Sequence, residues 1–308
     1  MVPRKHLLVG TANKVMMWLI TGSNGQIGRT AAAFLKSHSI DYRSFSSDEL
    51  DISNAKQVKS LVESLSPSYI LNAAAWTDVD QAEIEIRKSS AINAIGPKNL
   101  AVSARGISAK FIHISSDYVF NGDGDSPISE LALPAPINHY GKTKAEGDLN
   151  VNLAYPEGSF VLRTSWLYSQ YGKNFVKTIL RKAMTSDGDI FVVDDQVGQP
   201  TSATDFINKM YELISYEPPM GVYNITNAGS TSWYGFAREI LRLSDLDEER
   251  VKPIKSESLK TLAQRPRYSV LSHSKLRDVG LEPMQQWTQS IGQSINEIRW
   301  KVEAEIGI

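Results

Sequence analysis

The chain has 308 residues, 42% of them apolar and 22% charged, and a formal charge of -1. That balance describes a folded globular protein rather than a disordered one, and it offers no basic field for nucleic acid or an anionic membrane surface. Cysteine is absent, which removes disulfides, thiolate metal sites and cysteine nucleophiles together and fits a reducing, cytoplasmic setting.

No apolar stretch approaches the ~20 residues needed to span a bilayer, so no membrane partner is expected. Residues 1–16 read as a disordered extension, or as sequence ahead of a start at Met16 or Met17. A buried strand is expected at 16–21 (MMWLIT), a helix at 26–37, a strand at 40–45, a helix at 55–65 and a strand at 69–73. A long helical stretch over 82–105, broken near Gly96–Pro97, precedes a strand at 110–115, a helix at 139–154 and a strand at 160–163. The rhythm then loosens: helix 174–185, strand 190–193, helix 204–214, strand 222–225, helix 232–243 and an irregular charged stretch over 245–275. The last helix, 288–303, puts Ile291, Ile295, Ile298 and Val302 on one face. Strands alternating with helices predict an α/β chain, a Rossmann-type doubly wound parallel sheet with a smaller mixed α/β C-terminal lobe. The dinucleotide-binding domain is assigned 17–162 and about 188–216, and the substrate-binding lobe 163–187 and about 217–308.

Directly after the first strand stands Gly22-Ser-Asn24-Gly25-Gln26-Ile27-Gly28. The early glycines allow a tight turn and close approach to a pyrophosphate, Gly28 allows close helix–strand packing, and the helix start offers N–H groups to an anion. A glycine-rich turn without a ligand is the plainer alternative. Tyr140 and Lys144 are four apart on a helix and share a face. An ammonium beside a phenol favours the phenolate, which suits proton exchange with a carbonyl oxygen. Ser116 ends a strand at the sheet edge where such folds bind ligands, and its hydroxyl suits a carbonyl oxygen. The histidines are scattered with no ligand spacing, so no metal is assigned.

The GxxGxxG spacing resembles the extended, sugar-nucleotide branch of the short-chain dehydrogenase/reductase superfamily, and Asn72-Ala-Ala74-Ala75 is similar to that superfamily's small-residue stretch beside the cofactor. The segments NAAAWTDVDQAE (72–83), ISSDYVFNG (114–122), YGKTKAEG (140–147), RTSWLY (163–168), GQPTSATD (198–205), STSWYGFA (230–237) and RPRYSVL (265–271) together resemble the dTDP-4-dehydrorhamnose reductase family, in that family's order. The resemblance implies an oxidoreductase that passes hydride from NADPH, with NADH also accepted, to C4 of a dTDP-4-keto-6-deoxyhexose, giving dTDP-L-rhamnose from dTDP-4-dehydrorhamnose. It implies Tyr140 as proton donor, Lys144 as ribose ligand and Ser116 as the hydroxyl on the carbonyl. Cofactor contacts would come from Gly22, Asn24, Gly25, Gln26, Ile27, Gly28, Asp51, Ile52, Ala74, Ala75 and Thr77; Asp51 has helix capping as its competing role. Substrate contacts would come from Ser116, Asp117, Tyr118, Trp166, Asn174 and Arg265, and Asn93 would stand near the reacting groups. The tip of the second strand, Phe45-Ser46-Ser47, with Arg29 and Arg43 near, leaves room for a 2′-phosphate. Two rival readings stand beside this one: a non-catalytic, NADP-binding relative such as the regulatory subunit of methionine adenosyltransferase, and a 4-ketoreductase for another deoxysugar. Either a monomer or a homodimer is compatible with the sequence.

Overall fold

The computed structural model describes residues 16–308, and all of the expected N-terminal extension but Met16 lies outside them. Its centre is a six-stranded sheet in which every pairing is parallel. Strands β1 (Trp18–Thr21), β2 (Tyr42–Phe45), β3 (Tyr69–Asn72), β4 (Lys110–Ser116) and β5 (Ser159–Thr164) lie in the order β2-β1-β3-β4-β5, with Gly221–Asn224 on the far edge. β1, β3 and β5 are buried along their whole length, as expected of strands covered by helices on both faces. One face is packed by helices Gln26–Ser37 and Ala203–Ser215 around Trp18, Ile20, Phe206 and Tyr223. The other carries helices Ala55–Leu65, Gly96–Gly106 and His139–Ala154 around Leu19, Ile70, Phe111 and Val161. The sheet order reverses between β1 and β3, so a crevice opens at their C-terminal ends, where such sheets bind ligands.

A separate apolar core joins helices Phe175–Thr185, Trp233–Leu243 and Trp287–Ile306, with Ile291, Ile295, Ile298 and Val302 buried as their spacing predicts. Two strands stand on the other side of the expected boundary. Ile190–Val193, placed by its sequence position with the dinucleotide-binding domain, pairs with Val251–Ile254 and packs into this second core. Gly221–Asn224, placed with the substrate lobe, pairs with β5 and completes the main sheet. Both are short apolar strands, and only the long-range pairing partner distinguishes them.

The stretch predicted to break at Gly96–Pro97 stays helical there. It consists of short helices Val79–Ala82 and Ile86–Ser90, a π-helical turn Ala91–Ile95, and the helix Gly96–Gly106. Pro97 has no N–H to give to the carbonyl four residues back, and the wider turn accommodates that loss. Among the described residues no helix is long and apolar enough to cross a membrane.

His273 shows how burial couples this fold to pH. It is 6% exposed, its Nε2 meets Thr226 Oγ1 at 2.7 Å, and burial, reinforced by Arg277 and Lys209, pushes its pKa from 6.5 down to about 4. The folded state therefore holds His273 neutral. Its contribution is complete above the unfolded value near 6.5 and is lost as pH falls through about 4. Thermal melts from pH 7 to 4 should show a shallower loss of Tm for His273→Gln than for wild type; equal slopes would exclude this role.

Candidate active site

The glycine turn is packed too closely for side chains. A Cβ on Gly28 would lie 2.2 Å from the Gly22 carbonyl oxygen, and one on Gly22, whose φ is +69°, would lie 2.6 Å from Ala74 N. The turn thus rests on the end of β3, and helix Gln26–Ser37 begins there with Gly25 at its cap and no side chain covering its first N–H groups. A backbone cradle beside small residues at a sheet edge fits a pyrophosphate. Asn24, Gly25 and Thr77 are exposed, Ala74 and Ala75 are half-buried, and Ile27 and Ile52 are buried.

Several side chains singled out from the sequence are engaged elsewhere. Gln26 Oε1 accepts from Ser169 Oγ and Asn174 Nδ2, and its Nε2 donates to the Leu167 carbonyl. Asn174 caps helix Phe175–Thr185 through Lys177 N. These two residues tie the glycine turn to the second core, and their amides are taken up by each other. Asp51 accepts from Ser53, while Asn54 is the cap of Ala55–Leu65, so the capping role weighed for Asp51 belongs to its neighbour. At the tip of β2, Ser46 donates through both N and Oγ to Glu49, and Arg29 lies over the Tyr171 ring, which leaves Ser47 as the free hydroxyl. Arg265 donates to Asp80 at 2.7 Å.

The sheet edge also brings the reacting candidates together. β4 ends in Ser116, whose Oγ donates to Asp117 Oδ1 at 2.9 Å and accepts from Tyr118 N. Helix His139–Ala154 opens at Asn138, whose Oδ1 accepts from Gly141 N, and its first turn delivers Tyr140 beside Ser116. Tyr140 is 9% exposed and meets Tyr118 edge-on at 5.5 Å. Burial pushes the Tyr140 phenol up to about 12, with a hydrogen bond from Ser116 working in the opposite direction. Burial likewise raises the Asp117 carboxyl to about 6 and the Tyr118 phenol above its ordinary value. Lys144 is 2% exposed, its Nζ donates to the Ile114 carbonyl at 2.6 Å, and burial lowers its pKa to about 8 with Asp148 opposing. The spacing argument expected the ammonium to lower the phenol pKa. Here desolvation dominates Tyr140 and the ammonium is turned to a backbone carbonyl, so the phenol stays protonated, the form that can give up a proton.

Asn93 bridges this region from the π-helical turn. Its side chain binds both Trp76 N and Trp76 O and donates to Thr143 Oγ1. Trp166 has φ +46° and lies flat on Trp233, with ring centroids 3.5 Å apart and planes 7° from parallel. One face of Trp166 is therefore taken, Gly198 packs over the other at Cε2, and a substrate would meet the ring's edge. Trp233, Asn138, Asp80 and Asp148 were not singled out from the sequence. Asn138 precedes a helix and carried a readable cap signal, and Asp148 stands four residues after Lys144 on one helix; the partners of Trp233 and Asp80 are distant in sequence and left no signal.

The model of the RmlD substrate binding domain family matches residues 16–300. A dTDP-4-dehydrorhamnose reductase of Streptomyces griseus is 37% identical over 281 residues, covering 90% of this chain and 92% of that protein. A dTDP-4-keto-6-deoxy-D-glucose reductase of Streptomyces niveus is 36% identical over 277 residues, covering 90% and 96%. The crystal structure of a dTDP-4-dehydrorhamnose reductase from Bacillus anthracis in complex with NADP superposes with a TM-score of 0.88 at 38% identity, covering 92% of this chain and 100% of that one.

The tryptophan pair depends on Gly198, where a Cβ would lie 2.5 Å from Trp166 Cε2. Gly198→Ala should press on the ring from the face opposite Trp233 and displace it, destabilise the chain by about 1–3 kcal/mol and alter the near-ultraviolet circular dichroism of the stacked pair. An unchanged spectrum and Tm would show that the ring has room to yield.

Proposed function

From the premise that this chain belongs to the dTDP-4-dehydrorhamnose reductase family, we propose that it reduces the C4 keto group of a dTDP-4-keto-6-deoxyhexose, with dTDP-4-dehydrorhamnose as substrate and dTDP-L-rhamnose as product. The observation that carries the proposal is one buried cluster at the C-terminal edge of the sheet: the protonated phenol of Tyr140, the hydroxyl of Ser116 and the ammonium of Lys144, beside a glycine turn built for a dinucleotide.

Bound NADPH supplies the hydride that reaches C4. The glycine turn and the uncovered N–H groups of helix Gln26–Ser37 would hold the pyrophosphate, Ala74 and Ala75 would let the dinucleotide lie against the sheet edge, and Lys144 would hold the nicotinamide ribose. Ser116 orients the carbonyl oxygen; to do so its hydrogen turns from Asp117 toward the substrate. As the C4 oxygen gains negative charge, the Tyr140 O–H bond breaks and its proton moves to that oxygen, giving the alcohol. Burial of Tyr140 serves this direction, because a phenol held neutral keeps its proton until a stronger base forms beside it. Asp117, Tyr118 and the exposed side of Trp166 border the sugar. Arg265 would reach a diphosphate only by leaving Asp80. The cytoplasm is the setting this reading takes, since both nucleotide substrates are water-soluble anions.

Oxidation of NADPH with a panel of dTDP-4-keto-6-deoxyhexoses tests the reading, and product stereochemistry identifies the sugar. A regulatory, non-catalytic relative would bind NADPH without turnover. Tyr140→Phe should lower kcat by about 10²–10⁴-fold with NADPH binding retained in a fluorescence titration. Lys144→Ala should weaken cofactor binding as well as turnover, and Ser116→Ala should cost less than Tyr140→Phe. Near-normal turnover by Tyr140→Phe would refute the assignment of the acid.

A further inference from the structure

A continuous line of buried polar side chains runs beneath the cluster. Thr21, Asn72 and His113 are in register on β1, β3 and β4. Thr21 Oγ1 donates to Asn72 Oδ1 at 2.7 Å, and Asn72 Nδ2 meets His113 Nδ1 at 3.0 Å. With Nδ1 accepting, the ring proton of neutral His113 sits on Nε2, which faces Asp148 Oδ1 at 3.9 Å. Asp148 Oδ2 accepts from Arg163 Nε of β5 at 3.1 Å, and Arg163 also lies over the Phe120 ring. Asp148 stands one helical turn beyond Lys144, on the same face, and is 2% exposed. Neither Asp148 Oδ1 nor His113 Nε2 has a hydrogen-bond partner. Burial pushes the Asp148 carboxyl up, opposed by Arg163, the Ser115 hydroxyl and Lys144, so the carboxylate and the ammonium each favour the charged form of the other.

We propose that Asp148 is the positioning residue for Lys144: its carboxylate, paired with Arg163 of β5 and one helical turn along the same buried face, keeps the ammonium charged at the sheet edge where the ribose would lie.

The groups around Lys144 make Asp148 the natural candidate. On its own helix stand Tyr140, held neutral, and Asp148. From β4 and the turn after it come His113, Asp117 and Tyr118; from β5 comes Arg163. Arg87, Lys88, Lys98 and Arg105, on the other helices packed against this one, are exposed, and Arg105 reaches only the far end of this helix, at the Ala154 carbonyl. Asp80, from the short helix Val79–Ala82, is paired to Arg265. Asp117 is occupied by Ser116. Asp148 is thus the carboxylate that opposes the desolvation of Lys144. Arg163 competes for it, and the free Oδ1 is the side of the carboxylate that Arg163 does not use.

The inference rests on the reading of Lys144 as a residue of the reacting site, and its test is independent of turnover. Carbon-13 NMR of lysine Cε in the cofactor-free protein, with the Lys144 signal assigned by Lys144→Met, reads the lysine midpoint directly. Asp148→Asn should lower that midpoint by about 1–3 pH units, the effect of removing a close opposite charge. Asp148→Glu should leave it near the wild-type value. The alkaline limb of kcat should move to lower pH in Asp148→Asn by the same amount. An unmoved midpoint in a folded Asp148→Asn overturns the proposal and leaves Asp148 a purely structural partner of Arg163, visible only as a lower Tm. Should Asp148→Asn fail to fold, wild-type Asp148 Cγ decides: a signal that shifts as Lys144 titrates supports the proposal, and one blind to that titration, or a protonated carboxyl at pH 7, overturns it. Absence of wild-type turnover with a Lys144 midpoint that still follows Asp148 would overturn the functional reading and spare the electrostatic one.

Discussion

Lys144 carries its ammonium to a place where only 2% of the residue meets water, and an ion there persists only where fixed dipoles and counter-charge replace its hydration. Much of the site's architecture answers that requirement. β4 ends with the Ile114 carbonyl aimed at Nζ, and the helix that brings Lys144 also brings Asp148 one turn later. The main sheet then holds that carboxylate from below through Arg163 on β5, with neutral His113 on β4 facing it at 3.9 Å. Because these groups sit on adjacent parallel strands, the surroundings of the ammonium are set by the sheet itself rather than by a surface loop. The same burial acts on Tyr140 with the opposite chemical result. Desolvation disfavours the charged form of each, so it weakens the hold of Lys144 on its proton and strengthens that of the phenol.

The parallel sheet was legible in the sequence, and the candidate reacting residues could be named from it, because each rests on a local pattern. Uncharged runs such as WLIT and YILN can only be strands buried on both faces, the glycine turn follows a strand, and Tyr140 and Lys144 share a helical face. What was not legible depends on partners far along the chain. Ile190–Val193 and Gly221–Asn224 look alike, and their places follow from pairing with Val251–Ile254 and with β5. Gln26 and Asn174 carry amides that suit a ligand as well as they suit each other, and 148 residues separate them. The effect of Lys144 on Tyr140 was misjudged for a different reason: spacing places two side chains on one face but does not say where an ammonium points or how dry its surroundings are.

The second core matters to the reaction through what it lays across the sheet edge. Residues 263–268 pass over the site with ties to separate parts of the molecule. Ala263 N and Arg265 bind Asp80, Gln264 O accepts from Asn138, Arg267 O accepts from Val197 N, and Tyr268 N donates to Gly122 O. Each tie contributes about 1 kcal/mol net, so together they hold the segment firmly against thermal opening. Asn138 is the important member, since one side chain does two jobs: its Oδ1 caps the helix that presents Tyr140, and its Nδ2 holds the covering segment. The helix that presents Tyr140 and the segment 263–268 are therefore placed by the same residue. That link joins parts of the chain 126 residues apart, so a shift in either is transmitted to the other.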